Sequence, residues 1–129
     1  MSKNKKILII DDDPDFVDAT RIVLESENYK VLIASGPDEG FKKVDEEKPD
    51  LILLDVLWPD KKSGFDVCRE LKDNANYKNI PIIMLTSVDD KYGLGFENVA
   101  GDETWLPSDD FLTKPVEPKV LLSKVDELL

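Results

Sequence analysis

The chain has 129 residues, a formal net charge of −11, one cysteine and no histidine. That length fits a single domain that buries its own core, the lone Cys68 excludes an internal disulfide, and the missing imidazole excludes both histidine acid–base chemistry and a phosphohistidine on this chain. The acidity argues against nucleic acid as a direct partner, because phosphate backbones select Lys and Arg surfaces, and favours a basic protein surface or a divalent cation.

The amino-terminal stretch Met1-Ser2-Lys3-Asn4-Lys5-Lys6 leads into only four apolar residues, Ile7-Leu8-Ile9-Ile10. Four are too few for a signal-peptide core or a membrane span, and no Cys/His metal cluster is present, so the expected setting is a reducing cytoplasm without membrane contact. Short apolar runs then alternate with longer amphipathic stretches, the pattern of βα units in a parallel sheet covered on both faces. Ile7 to Ile10 is the first strand. Asp13 makes a suitable N-cap, with Pro14 at the first helical position, for a helix in which Phe16, Ala19 and Val23 recur at helical spacing. A second strand is predicted near Tyr29 to Ala34, and Pro37 opens a helix that buries Phe41 and Val44 and is ended by Pro49. Leu51-Ile52-Leu53-Leu54 is a third strand, closed by Asp55. The helix from Phe65 to Lys72 puts Phe65, Cys68 and Leu71 on one face, with Cys68 a small buried hydrophobe. Ile80 to Leu85 reads as a fourth strand. Gly93, Gly95, Gly101 and Pro107 interrupt residues 87 to 108, so only short helical pieces are expected there. Phe111 and Leu112 with their flanks form a fifth strand, and a closing helix from about Glu117 carries Leu121, Val125 and Leu128 on one face. No repeat, linker or low-complexity tract interrupts residues 1 to 129, which are expected to form one domain.

Two of these strands end in carboxylates: Asp11, Asp12 and Asp13 follow Ile10, and Asp55 follows Leu54. Ligands of open parallel sheets sit outside the carboxyl ends of the strands, so both acidic groups are expected in one crevice.

Four segments, each at the end of its own strand, together resemble the receiver domains of two-component response regulators, the stand-alone chemotaxis and sporulation regulators included. They are Ile-Leu-Ile-Ile-Asp11-Asp12, Leu-Leu-Asp55-Val-Leu-Trp-Pro59, Leu-Thr86-Ser87 and Phe111-Leu-Thr-Lys114-Pro115, and the resemblance covers nearly the whole chain. It implies a flavodoxin-like fold, a single doubly wound five-stranded parallel sheet of order 2-1-3-4-5, here with an irregular or shortened fourth helix. It also implies that Asp55 is the phosphoacceptor, that Asp12 and the Leu57 carbonyl bind Mg²⁺ directly, and that Asp11 contributes through water. Thr86 would bond a phosphoryl oxygen, Phe111 would be the aromatic switch that turns inward with Thr86, and the Lys114-Pro115 bond would be cis to aim the lysine.

The groups themselves support that chemistry. Crowded carboxylates repel one another unless a cation lies among them, and a few oxygen ligands with room for water and phosphate oxygens suit Mg²⁺. Beside that ion Asp55 is a carboxylate nucleophile, and Lys114 is placed to offset charge on the transferring phosphoryl oxygens. The donor is then another chain, a sensor histidine kinase or histidine phosphotransfer protein, and the expected output is contact with a downstream target protein rather than DNA, since no output domain is expected. The fourth helix, fifth strand and closing helix form the family's output and dimerisation face, the expected surface for any homodimer. Two features depart from the family pattern: Asp60-Lys61-Lys62-Ser63 is one residue longer than the common spacing and adds two positive charges, and the segment from Thr86 to Lys114 is several residues longer and rich in glycine.

Plainer readings stand beside these. Asp13 is first a helix cap, Phe111 could be simple core, and Trp58 and Trp105 read as surface or partner-facing aromatics. Haloacid-dehalogenase-like phosphatases also use strand-end aspartates and Mg²⁺. Asp11 and Asp13 fit their Asp-x-Asp spacing, but that reading has no cap domain and leaves Asp55 without a role. A pseudo-receiver that only scaffolds contacts is the third reading.

Overall fold

A computed structural model describes residues 5–55, 64–87, 110–114 and 116–129. Strands β1 (Lys6–Ile10), β2 (Lys30–Ala34), β3 (Leu51–Asp55), β4 (Ile82–Ser87) and β5 (Asp110–Lys114) form one sheet of order β2-β1-β3-β4-β5. Every neighbouring pair is parallel, so the doubly wound architecture expected from the sequence is what the chain adopts. The apolar runs explain why. Ile7 to Ile10 and Leu51 to Leu54 are wholly buried, as strands covered on both faces must be.

Alternation along each strand divides the core into two layers. Leu8, Ile10, Ile52, Leu54, Ile82 and Met84 pack with Val44 of α2 (Pro37–Glu47) and with Val67 and Leu71 of α3 (Gly64–Asp73). On the other face Ile7, Ile9, Leu51, Leu53, Ile83 and Leu85 pack with Val17 and Leu24 of α1 (Pro14–Ser26) and with Leu121 and Val125 of the C-terminal helix (Pro118–Leu128). Removing each such side chain from water contributes about 1.5–3 kcal/mol before chain entropy is charged against it.

Helix α1 begins as expected. The Asp13 carboxylate accepts from the amides of Asp15 and Phe16 at 3.1 and 3.4 Å, Pro14 follows, and Asp15 adds a favourable negative charge in the first turn. Its buried stripe, however, is Val17, Thr20 and Leu24, not Phe16, Ala19 and Val23. The expected trio lies to one side: Phe16 and Val23 are half-buried, Ala19 is exposed, and with Val116, Pro118 and Leu121 they line a shallow groove beside the C-terminal helix. Helix α2 starts without a side-chain cap on Gly36. Instead both the amide and the hydroxyl of Ser35 donate to Glu39 Oε1, at 3.2 and 3.0 Å, and tie down its first turn. Val44 is buried as expected, Phe41 is only half-buried against the same layer, and the helix closes on Lys48 in the left-handed region (φ 50°) ahead of Pro49.

Two strand starts differ from the sequence expectation. Tyr29 is buried but precedes β2, and its hydroxyl donates to the Asp126 carboxylate on the C-terminal helix. Strand β4 begins at Ile82 rather than Ile80, because the Ile80 amide is used in a turn to the Tyr77 carbonyl and Pro81 has no amide to give. Ser87 closes β4. The expectations for Leu57, Trp58, Trp105, residues 60–63, the helical pieces of residues 88–108 and the Lys114-Pro115 bond, and for the side chains of Phe65 and Cys68, lie outside the described residues. Among the described residues no helix is long and apolar enough to cross a membrane.

Candidate functional site

The strand order reverses direction between β1 and β3, where β1 connects outward to β2 and β3 leads on to β4, and this is where an open parallel sheet leaves a crevice. Ile10 pairs with Leu54 in the β1–β3 register, so Asp11 and Asp55 leave adjacent strands at the same level. Both are buried, at 2% and 8% exposure, whereas Asp12 is exposed. One carboxylate oxygen from each of Asp11, Asp12 and Asp55 lies within 4.8 Å of the others. Three carboxylate oxygens this close could hold one cation between them, leaving its remaining positions to water or phosphate oxygens. Hard oxygen donors with no thiolate or imidazole among them suit Mg²⁺ or a similar cation rather than zinc or copper.

The turn between β1 and α1 fixes this arrangement. The Asp11 amide donates to the Ala34 carbonyl at the end of β2 (3.0 Å), which extends the sheet by one step and holds the residue in line. The Asp13 amide donates to Asp11 Oδ1 at 2.9 Å, and Asp13 in turn caps α1. Two Asx turns therefore run back to back, each a side-chain oxygen accepting from the amide two residues on. Asp13 uses a carboxylate oxygen as the helix cap and is not among the clustered acids, whereas the Asp-x-Asp phosphatase reading pairs it with Asp11.

Sequence-predicted residues of β4 and β5 reach the same edge. Asp55 pairs with Leu85, so Thr86 sits one step beyond it on the neighbouring strand. Thr86 pairs with Thr113 and Ser87 with Lys114, which places the backbone of Lys114 at the carboxyl end of β5. Phe111 pairs with Met84, further back in the sheet. Asp11, Asp12 and Asp55 are thus brought together, and Thr86 and Lys114 join them at the level of the backbone. The Asp13 amide, by contrast, was not anticipated as part of the site. Its signal was the two-residue spacing from Asp11, the spacing of an Asx turn.

A doubly wound parallel sheet with a buried carboxylate pair and a third acid at its switch point defines a flavodoxin-like α/β protein with an acidic, cation-suited crevice. Residues 7–126 match the response regulator receiver domain model, and the chain belongs to that family. It is 40% identical over 126 residues to the alkaline phosphatase synthesis transcriptional regulatory protein PhoP of Bacillus subtilis, covering 98% of this chain and 49% of the relative. It is 39% identical over 127 residues to the DNA-binding dual master transcriptional regulator RpaA of Synechocystis, covering 96% and 48%. The chain spans about half the length of these curated relatives. Among solved structures it is similar to a response regulator from Chloroflexus aurantiacus, with a TM-score of 0.85, 30% identity and 98% of each chain covered. A CheY-like receiver domain protein from Methanospirillum hungatei gives a TM-score of 0.79 at 33% identity, covering 97% and 93%.

Proposed function

We propose that Asp55 is the phosphoacceptor of this receiver domain and that Asp11 and Asp12 hold Mg²⁺ beside it. Receiver domains are the phosphoacceptors of two-component signalling and not enzymes in the ordinary sense, and as a member of that family this chain acts as one. The observation that carries the residue assignment is the 4.8 Å cluster of Asp11, Asp12 and Asp55 at the switch point, with Asp11 and Asp55 buried and Asp12 exposed. When bound, Mg²⁺ offsets charge on the phosphoryl oxygens. An Asp55 carboxylate oxygen attacks phosphorus, and the P–O bond forms as the P–N bond to a histidine of the partner breaks. Burial of Asp55 keeps bulk water from competing for the phosphoryl group. Lys114 and Thr86 are assigned to the phosphoryl oxygens, Leu57 to the metal through its carbonyl, and Phe111 to the switch. Sensor histidine kinases or phosphotransfer proteins are the donors, a downstream protein is the target, and the setting is cytoplasmic. Output and any homodimer are assigned to the face built on β5 and the C-terminal helix, which exposes Val120.

Intact mass after incubation with acetyl phosphate and Mg²⁺, in parallel with Asp55→Asn, tests this reading. One phosphoryl group that requires Mg²⁺ and is lost in the variant is the expected result. No adduct in either protein, together with no binding of beryllofluoride, would establish the pseudo-receiver instead.

A further inference from the structure

Asp13 occupies two roles that meet at one turn. Its amide donates to Asp11 Oδ1 at 2.9 Å, its carboxylate accepts from the amides of Asp15 and Phe16, and its carbonyl accepts from the Val17 amide at 3.0 Å. The carboxylate bonds fix where the Asp13 backbone lies, and the backbone fixes where its amide points. The amide then sets the rotation of the Asp11 carboxylate, one of the two buried acids of the cluster. We infer that Asp13 is a positioning residue for the metal site: by capping α1 it holds the amide that orients Asp11, so its side chain supports cation affinity as well as helix stability. This rests on the assignment of Asp11, Asp12 and Asp55 as the cation site.

The alternative is that Asp13 acts on a cation only through its charge, or on the helix only through its cap. Three variants separate these. Asn and Ser cap helices as well as Asp does, whereas Ala does not. Both Asp13→Asn and Asp13→Ser therefore keep the turn and remove the charge, while Asp13→Ala removes both. Loss of groups that orient metal ligands commonly costs about 10–100-fold in affinity. Because the Asp13 amide survives in every variant and only its placement is loosened, the expected loss for Asp13→Ala is about tenfold, the lower end of that range.

The test is isothermal titration of each 129-residue protein with Mg²⁺ alone, paired with urea unfolding in EDTA. Asn and Ser variants within about threefold of wild type and an Ala variant about tenfold weaker are the expected results. Equal weakening in all three would assign the effect to charge. Wild-type affinity in Asp13→Ala, with lowered stability in EDTA, would reduce Asp13 to a helix cap. Either outcome overturns the inference. Should Asp13→Ala not fold, the weaker cap of Asp13→Thr takes its place: Mg²⁺ affinity below that of Asp13→Ser is the expected result, and equal affinity with lowered stability in EDTA overturns the inference. A wild-type protein that takes up no Mg²⁺ would instead overturn the site assignment beneath it.

Discussion

Ile10 stands opposite Leu54 in the parallel β1–β3 pair, and that single register places the Asp11 and Asp55 carboxylates side by side in a buried crevice. One carboxylate oxygen from each of Asp11, Asp12 and Asp55 lies within 4.8 Å of the others, so like charges meet at this edge of the sheet and a cation seated among them would offset their repulsion.

Asp55→Asn should therefore stabilise the metal-free protein, by on the order of 1 kcal/mol once solvent screening through the exposed Asp12 side is allowed for. Urea unfolding in EDTA measures it. Added Mg²⁺ should then reverse the order: wild type gains stability in proportion to the logarithm of metal concentration above its Kd, and the variant gains less. A lower EDTA midpoint for Asp55→Asn would show that interactions made by the Asp55 carboxylate outweigh the repulsion.

Asp12→Ala leaves the two buried acids in place and removes the exposed one. On the proposed site assignment, removal of the Asp12 carboxylate should raise the Mg²⁺ Kd by about tenfold or more. Intrinsic tryptophan fluorescence is a convenient readout, since Trp58 follows Asp55 by three residues. Quenching by Mg²⁺ in wild type but not in Asp12→Ala is the expected pair of results, and equal responses would exclude Asp12 as a ligand.

How much of this was legible in the sequence depended on how completely local chemistry decided each element. Ile7 to Ile10 and Leu51 to Leu54 could be read as central strands because burial on both faces leaves no polar position, and the strand-end aspartates followed from them. Asp13 and Pro14 marked the start of α1 because capping is a short-range interaction. The buried face of α1 was misjudged by one position because Thr20 is polar yet buried, while Phe16 and Val23 are apolar but only half-covered at the edge of the C-terminal helix. Packing between α1 and that helix is a tertiary contact, and periodicity alone does not contain it. The start of β4 was lost for a similar reason: Ile80 is apolar, but its amide serves a turn. At the site, the carboxylate cluster was legible, whereas the Asp13 amide bond depends on the path of the backbone through two successive Asx turns.

Glu39 offers a pH signature in the first turn of α2. Bonds from the Ser35 amide and then from its hydroxyl hold the Glu39 carboxyl below its ordinary value of 4.5. A carboxyl lowered in the folded state adds stability that is fully present above its unfolded value and is lost as pH falls through the folded one. Glu39→Gln keeps an acceptor oxygen but cannot carry the charge. The stability gap between wild type and this variant should be constant from neutral pH down to about 5, then close below the ordinary glutamate range. Urea midpoints collected across that interval measure it, and a gap that widens on acidification would contradict the assignment.

Gly40 reports how tightly α2 is pressed onto the strand that leads to the site. A Cβ placed there would lie 2.7 Å from Ile10 Cδ1, 3.2 Å from Cγ1 and 3.3 Å from Cγ2. Alanine is the better helix former by about 1 kcal/mol, which on an exposed face would stabilise the protein. At this position overpacking costs about 1–3 kcal/mol, because three atoms of one buried, β-branched side chain are crowded at once and the Cγ atoms cannot swing away as Cδ1 can. Gly40→Ala is thus expected to be destabilising by on the order of 1 kcal/mol net. Ile10→Val removes Cδ1, the closest of the three, at a cost of about 0.5–1.5 kcal/mol by itself. The two changes should be sub-additive, with the double variant more stable than the sum of the singles predicts by about 0.5 kcal/mol or more. Strict additivity in a urea double-mutant cycle would mean that α2 shifts as a body instead of pressing on Ile10. Because Ile10 precedes Asp11, Mg²⁺ affinity measured on the same four proteins distinguishes the two: a local clash perturbs Asp11 and weakens binding in Gly40→Ala, with recovery in the double variant, whereas a shift of the whole helix leaves affinity unchanged.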